Sequence, residues 1–241
     1  MRADIFLVEQ GYAKSRSEAQ AAIKAGLVRA NGEALSKSSQ TIAAGAVIAY
    51  AKPHPYVSRG GVKLAAALDH FGLSPEGRIC LDLGASTGGF TQVLLQRGAA
   101  RVYALDVGHG QMDQDLMQDP RVSVQDGVNV RDLVPADLPR PVTAITADLS
   151  FISLKLALPP ALALADAGAW AVALVKPQFE VGRQAVGKGG IVRDDALRLA
   201  SVSGMEDFVA AQSGWQVLGH IQSPIAGGDG NIEYLLAARK S

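Results

Sequence analysis

Cysteine is close to absent. Cys80 is the whole complement in 241 residues, which excludes a disulfide scaffold and a cysteine-built zinc cluster and fits a reducing cytoplasm. Histidine is nearly as scarce, and His54, His70, His109 and His220 stand at no metal-ligand spacing, so no metal is expected. Long hydrophobic runs are missing too. The richest apolar stretch, residues 156–175, is broken by Pro159, Pro160, Asp166 and Gly168. A spanning helix needs about 20 mostly apolar residues, so the stretch reads instead as a helix, a turn and a buried strand. The opening Met1-Arg2-Ala3-Asp4-Ile5 puts an acid where a secretory leader would be apolar. The expectation is a soluble, cytoplasmic protein without membrane contact.

Net charge is absent as well, with 23 basic residues against 23 acidic ones, but its distribution is uneven. Residues 1–62 hold eight basic groups (Arg2, Lys14, Arg16, Lys24, Arg29, Lys37, Lys52, Arg59) and four acids (Asp4, Glu9, Glu18, Glu33), net +4. The remainder holds 15 basic and 19 acidic residues, net −4. A basic nucleic-acid module joined to a neutral or acidic catalytic body has this asymmetry. Lys52-Pro53-His54-Pro55 breaks any regular element, so a small domain over 1–52, a linker over 53–58 and a larger domain over 59–241 are expected.

The first domain reads as a helix over 4–10 closed by Gly11, then a second over 18–25 capped by Ser15 or Ser17 and ended by Gly26. Strands follow at 27–30 and 47–49, with Asn31-Gly32 as a hairpin turn needing positive φ at both central residues. The segments Arg2-x-Asp4-x-x-Leu7, Ser15-Arg16-Ser17-x-Ala19 and Ile23-x-x-Gly26-x-Val28-x-x-Asn31-Gly32 resemble the small RNA-binding module named after the fourth small-subunit ribosomal protein. That resemblance implies phosphate contacts from Lys14, Arg16 and Lys24, with Arg2 beside them.

The second domain opens with a helix over 61–71. The sharpest local motif follows: Ile79-Cys80-Leu81-Asp82-Leu83 runs into Gly84-Ala85-Ser86-Thr87-Gly88-Gly89-Phe90 and a helix over 90–96. A strand feeding a glycine turn and a helix N-terminus is a nucleotide-type site. Ser86 stands where a dinucleotide fingerprint needs glycine, and no Lys-Ser/Thr pair follows, so neither pyrophosphate motif fits. Asp82 suggests a ligand with a cationic end, such as an amino-acid ammonium. The strand at 102–105 ends in Asp106, 22 residues after Gly84, where an acid can accept both ribose hydroxyls; Val107 follows it. The strand at 122–124 ends in Asp126, with Asn129 suited to an adenine. Together these groups describe S-adenosylmethionine rather than a dinucleotide. Further strands at 144–147, 171–175, 216–221 and 232–238, and a helix over 195–211, complete the pattern. The expected fold is α/β: a Rossmann-like methyltransferase sheet, parallel with one antiparallel closing strand, preceded by the small α+β domain.

Four charged residues stand apart. Asp148 and Lys176 terminate neighbouring strands on the cofactor edge, Lys63 precedes the sheet, and Glu233 lies in its last strand. A lysine among apolar neighbours with a second ammonium near can give up its proton and act as a base. The glycine-rich loop 180–193, bearing Arg183, Lys188 and Arg193, is placed to close over RNA.

The chain resembles the TlyA family of ribosomal RNA 2′-O-methyltransferases, often labelled hemolysins, whose catalytic domain is similar to the FtsJ methyltransferases. The likeness rests on Ser58-Arg59-Gly60-Gly61-Val62-Lys63-Leu64, the segment from Asp82 to Phe90, Asp106-Val107-Gly108, Asp148-Leu149-Ser150-Phe151-Ile152-Ser153-Leu154, Val175-Lys176-Pro177-Gln178-Phe179-Glu180 and Gly230-Asn231-Ile232-Glu233-Tyr234. It implies a Lys-Asp-Lys-Glu catalytic tetrad at Lys63, Asp148, Lys176 and Glu233, with Lys176 as base, Asp148 orienting it and also meeting the cofactor, and Lys63 and Glu233 holding the ribose. It also implies ribosomal RNA or a ribosomal subunit as partner, with Arg59, Arg183 and Lys188 as further RNA contacts. The likeness is to the family's short form, acting on a cytidine of large-subunit RNA. Base-directed methylation is the rival within enzymes; a non-catalytic assembly factor or a pore former is the rival outside them. Cys80 sits mid-strand, a poor place for a base-methylating nucleophile, and no amphipathic or spanning segment supports a pore.

Overall fold

A computed structural model describes residues 1–138 and 141–241, with Arg183 described in its backbone only. The chain forms two compact units, residues 1–55 and 56–241, so the expected linker 53–58 straddles their division.

The first unit carries α1 (Ala3–Glu9), α2 (Arg16–Lys24) and a three-stranded antiparallel sheet of β1 (Val28–Ala30), β2 (Glu33–Ala34) and β3 (Ile48–Tyr50), ordered β2-β1-β3. Ser15 is the N-cap of α2, its hydroxyl accepting from Glu18 N. Asn31 and Gly32 both take positive φ, 51° and 84°, which joins β1 to β2 by a tight turn. Leu7, Ala19, Ile23, Val28, Leu35 and Ile42 form a small buried core. Asp4 is fully buried beside it and accepts from Arg2 Nε and Nη2, Arg16 Nη2 and Gln20 Nε2. The Arg2 guanidinium, helped by Gln20 and Arg16, holds this carboxyl well below the usual carboxylate range.

The second unit runs α3 (Gly60–Phe71), β4 (Ile79–Leu83), α4 (Gly89–Gln96), β5 (Arg101–Asp106), α5 (Gln114–Met117), β6 (Val122–Asp126), β7 (Val142–Ala147), α6 (Leu154–Leu164), β8 (Ala165–Val175), α7 (Pro177–Glu180), α8 (Asp195–Ala210), β9 (Trp215–Gln222) and β10 (Tyr234–Lys240). The sheet order is β6-β5-β4-β7-β8-β10-β9, with β10 antiparallel to both its neighbours. The antiparallel strand is thus inserted one place in from the edge. The period of two along β4 divides the core. Leu81 and Leu83 face α6 and α8 through Leu158, Val202 and Met205, while Cys80 joins Leu64, Leu68 and Leu94 of α3 and α4.

The apolar stretch 156–175 forms a helix followed by a buried strand, as expected, with α6 running through Pro159 and Pro160 to Leu164; one expectation fails nearby, at Glu233. Burial of Ala157, Leu158, Ala161 and Leu162 outweighs the missing donors, and Lys240 Nζ caps the end by donating to Leu162 O at 3.2 Å and Ala165 O at 2.7 Å. β8 then begins directly at Ala165, and residues 166–169 bulge: Val142 pairs with Ala165 while Ala144 already pairs with Trp170. Glu233 precedes the last strand rather than lying in it, because the 223–231 loop closes on itself through Gly227 N and Asn231 O at 2.9 Å.

Candidate functional site

The carboxyl ends of β4, β5, β7 and β8 point to one edge, where parallel strands present their loops. After β4 the chain turns with positive φ at Gly84 (78°), Ser86 (46°) and Gly88 (92°). Gly84 is required twice over: a Cβ there would lie 2.5 Å from the backbone oxygen of Asp148. Asp106, at the end of β5, draws the turns together by accepting from Ser86 N at 2.8 Å and Gly108 N at 2.7 Å. The cavity between them has a volume of about 460 Å³, with Gly84, Ser86, Asp106, Val107, Asn129 and Asp148 in its wall. Each Asp106 oxygen accepts one of these bonds and has a second lone pair to offer, in the wall of the cavity expected to take ribose hydroxyls.

Ala85, Thr87, Gly89 and Phe90 face a second cavity of about 270 Å³, which Arg59, Lys63, Asp148, Ser150 and Lys176 also line. Gly88 lines neither; it is the N-cap of α4. Gly84, Ser86, Asp148 and Ser150 belong to both walls and mark the seam between the cavities.

Two expected cofactor groups are placed elsewhere. Asp82 shares the face of Cys80, not that of the cavity, because side chains alternate along β4. It is fully buried, lines neither cavity, and accepts from Thr91 Oγ1 at 2.7 Å and Thr146 Oγ1 at 2.8 Å, so it ties β4 to α4 and β7. Burial pushes its carboxyl up to about 6, against the pull of the two hydroxyls. Asp126 is exposed, lines neither cavity, and accepts from Gly110 N at 2.7 Å, which braces the loop after β5. The Cys80 thiol is buried and pushed up to about 12, an inert core group.

The four separated charges form two ion pairs. Lys63 Nζ, in the first turns of α3, meets Glu233 Oε2 at 2.5 Å; Lys176 Nζ, at the end of β8, meets Asp148 Oδ1 at 2.6 Å. Glu233 is only 3% exposed and stands behind Lys63 instead of lining the cavity. Its carboxylate packs on Gly227, where a Cβ would lie 2.4 Å from Oε1.

Four further residues went unassigned by sequence reasoning. Ser150 Oγ accepts from Lys176 Nζ at 2.9 Å; its signal was only a small hydroxyl two residues beyond a strand-terminal acid. Glu180 accepts from Ser153 Oγ at 2.6 Å and Leu154 N at 2.8 Å, stapling the loop after β7 to the turn that starts at Lys176. Between them Phe151 takes φ 64° and is 92% exposed, its ring centroid 5.3 Å from that of Phe179. A bulky residue there costs on the order of 1–3 kcal/mol and persists because its surroundings hold it. Asn231, 1% exposed, accepts from Val192 N at 3.0 Å and donates to Gly190 O at 2.9 Å. It tethers the far end of the loop expected to close over RNA.

Among the expected RNA contacts, Arg2, Lys14, Arg16 and Lys24 are exposed on the first unit, with Asp4 gripping Arg2 and Arg16. Arg59 precedes α3 at the second cavity and Lys188 is exposed on its loop; the side chain of Arg183 lies outside the described residues. Among the described residues no helix is long and apolar enough to cross a membrane, and no group of three His, Cys, Asp or Glu is placed to hold a metal ion.

Comparison with known proteins agrees with this geometry. The FtsJ-like methyltransferase family profile matches residues 56–240, and the S4 domain profile residues 1–48. The chain is 45% identical over 240 residues to the 16S/23S rRNA (cytidine-2′-O)-methyltransferase TlyA of Mycobacterium tuberculosis, covering 99% of this chain and 89% of that one. It is 41% identical over 239 residues to Hemolysin A of Brachyspira hyodysenteriae, 98% of each chain. The solved structure of a hemolysin-named protein from Streptococcus thermophilus superposes with a TM-score of 0.78 at 41% identity, covering 100% of this chain and 88% of that one. The chain belongs to the FtsJ-like methyltransferase family and carries an S4 domain at its N-terminus.

Proposed function

We propose that the protein transfers a methyl group from S-adenosylmethionine to the 2′-hydroxyl of a cytidine in ribosomal RNA, in the reducing cytoplasm. The observation that carries this reading is the place of Lys176 Nζ, held by Asp148 and Ser150 beside the seam between the two cavities. When bound, S-adenosylmethionine supplies a methyl on a sulfonium sulfur, which keeps the C–S electron pair and leaves as a neutral thioether. A ribose hydroxyl is a weak acid and a weak nucleophile, so it needs a base and in-line placement. Lys176 in its neutral form takes the 2′ proton as the oxygen attacks the methyl carbon, and becomes an ammonium that Asp148 stabilises. In the first cavity Asp106 accepts from the ribose hydroxyls of the cofactor and Asn129 faces its base. In the second, Lys63, fixed by Glu233, and Arg59 supply positive charge for the nucleotide being modified. Phe151 presents an aromatic face at the mouth on which an unpaired base can stack. Arg2, Lys14, Arg16, Lys24 and Lys188 add phosphate contacts that position RNA without reading its sequence.

The test is methyl transfer from labelled S-adenosylmethionine to purified large and small ribosomal subunits, comparing wild type with Lys176→Ala. The RNA is then digested with alkali, which a 2′-O-methyl blocks at one linkage. Label in an alkali-resistant dinucleotide, lost in the variant, is the expected result, with the large subunit as the expected acceptor. Label in ordinary mononucleotides would move the chemistry to a base.

A further inference from the structure

Lys176 Nζ meets two acceptors, Asp148 Oδ1 at 2.6 Å and Ser150 Oγ at 2.9 Å. A neutral primary amine has two N–H bonds and one lone pair, set tetrahedrally about the nitrogen with Cε. One acceptor leaves the second N–H and the lone pair free to exchange places by rotation about the Cε–Nζ bond. Two fixed acceptors take one N–H each and leave the lone pair a single direction. We propose that Ser150 is a positioning residue: its hydroxyl accepts the second N–H of neutral Lys176 and so aims the lone pair at the acceptor hydroxyl. The inference rests on the reading of Lys176 as the base.

The surroundings of Ser150 fit that task. Its neighbour Phe151 holds φ 64° against the ring of Phe179, and Glu180 grips Ser153 Oγ and Leu154 N three and four residues on. Phe179 and Glu180 belong to α7, the turn that begins immediately after Lys176. The base and its hydroxyl acceptor are therefore fixed to one stapled pair of loops. Ser150 is exposed, and among the described residues its one side-chain hydrogen bond is to Lys176, which keeps Asp148 as an acceptor when the hydroxyl is lost. Like Asp148, it lines both cavities, at the boundary where methyl donor and acceptor meet in this reading.

The experiment compares wild type, Ser150→Ala and Ser150→Thr in the labelled transfer to ribosomal subunits, with kcat and KM for RNA measured separately and cofactor affinity by calorimetry. Loss of alignment without loss of binding is expected to lower kcat of Ser150→Ala about tenfold, with KM and cofactor affinity unchanged within about twofold. Ser150→Thr keeps the hydroxyl and should recover most of that rate. A kcat for Ser150→Ala equal to or above wild type overturns the inference, since a hydroxyl that instead donated to the lone pair would mask the base. A loss carried by KM or by cofactor affinity also overturns it, by making Ser150 part of the loop's shape alone. In both cases the wild-type dinucleotide product stands, and the reading of the reaction with it. Wild type yielding no 2′-O-methyl product, or Lys176→Ala retaining full rate, would overturn that reading and this inference together.

Discussion

Gly227 offers a way to displace one member of the Lys63–Glu233 pair without removing it. Its φ lies in the ordinary range, so alanine brings no backbone strain. The added Cβ would meet Glu233 Oε1 at 2.4 Å and Cδ at 2.9 Å, while ordinary contact begins near 3.4 Å, so the carboxylate must shift by about 1 Å. Lys63 and Glu233 are both buried, and deleting one partner of a buried pair costs about 3–5 kcal/mol. A displaced but surviving partner keeps part of that, which sets the expected stability loss of Gly227→Ala at about 1–2 kcal/mol. Misplacement of about 1 Å near the reacting groups typically lowers the rate by about a hundredfold, so kcat is expected to fall by that order while cofactor binding holds. The assay is a double-mutant cycle on single-turnover transfer and on urea denaturation, with Gly227→Ala, Glu233→Ala and the pair. With Glu233 shortened, the methyl added at position 227 has no carboxylate to push, so the double variant should match Glu233→Ala alone. Equal losses from Gly227→Ala in both backgrounds would refute the displacement argument and leave Gly227 as a loop residue only.

Asp82→Asn should remove a pH dependence from the fold. The Asp82 carboxyl is raised from 3.8 to about 6, so its contribution is fully present below the unfolded value and is lost as pH rises through about 6, a swing of about 3 kcal/mol. Denaturation midpoints of the two proteins should therefore diverge between pH 4 and 7 in favour of the variant; a constant difference across that window would contradict the burial argument. Asp4 works in the opposite sense, since its lowered carboxyl stabilises the first unit above the ordinary aspartate range and loses that contribution as pH falls, which Asp4→Asn should abolish in acid unfolding. Phe151→Ala should leave stability nearly unchanged and raise KM for RNA about tenfold through loss of one stacking surface, a result that equal KM values would exclude.

What could be read directly from the chain is local or periodic. The strand, glycine turn and helix around Gly84 follow one another directly in the chain and help to wall both cavities, and Asn31-Gly32 forms the turn its two positive φ angles require. Asp82 was misplaced by proximity: it touches the glycine turn in sequence, yet the alternation that buries Cys80 also carries Asp82 under α4. That period of two was available and outranks nearness. Pro159 and Pro160 fall inside the expected helix, because a helix buried along one face and capped by Lys240 tolerates donors it lacks.

The pairing of Asp148 with Lys176 follows from neighbouring strand ends, but the direct contact of Lys63 with Glu233 could not be read from position, for a reason of topology. Lys63 and Glu233 are 170 residues apart and meet only because β10 runs antiparallel between β8 and β9, which sets the residue before it near the start of α3. Asp148 and Lys176 instead end adjacent parallel strands and pair across one register. A chain that placed β10 at the sheet edge would contain the same four letters and leave Lys63 without its carboxylate. The buried Asn231 and the Gly227 contact stand two and six residues before Glu233 and hold the segment that makes this return. The Lys63–Glu233 pair is thus a test of the strand order as much as of the chemistry. Substitutions in the 223–233 loop should act on Lys63, and those in the 148–153 loop on Lys176, with additive effects between the two groups and strong coupling within each.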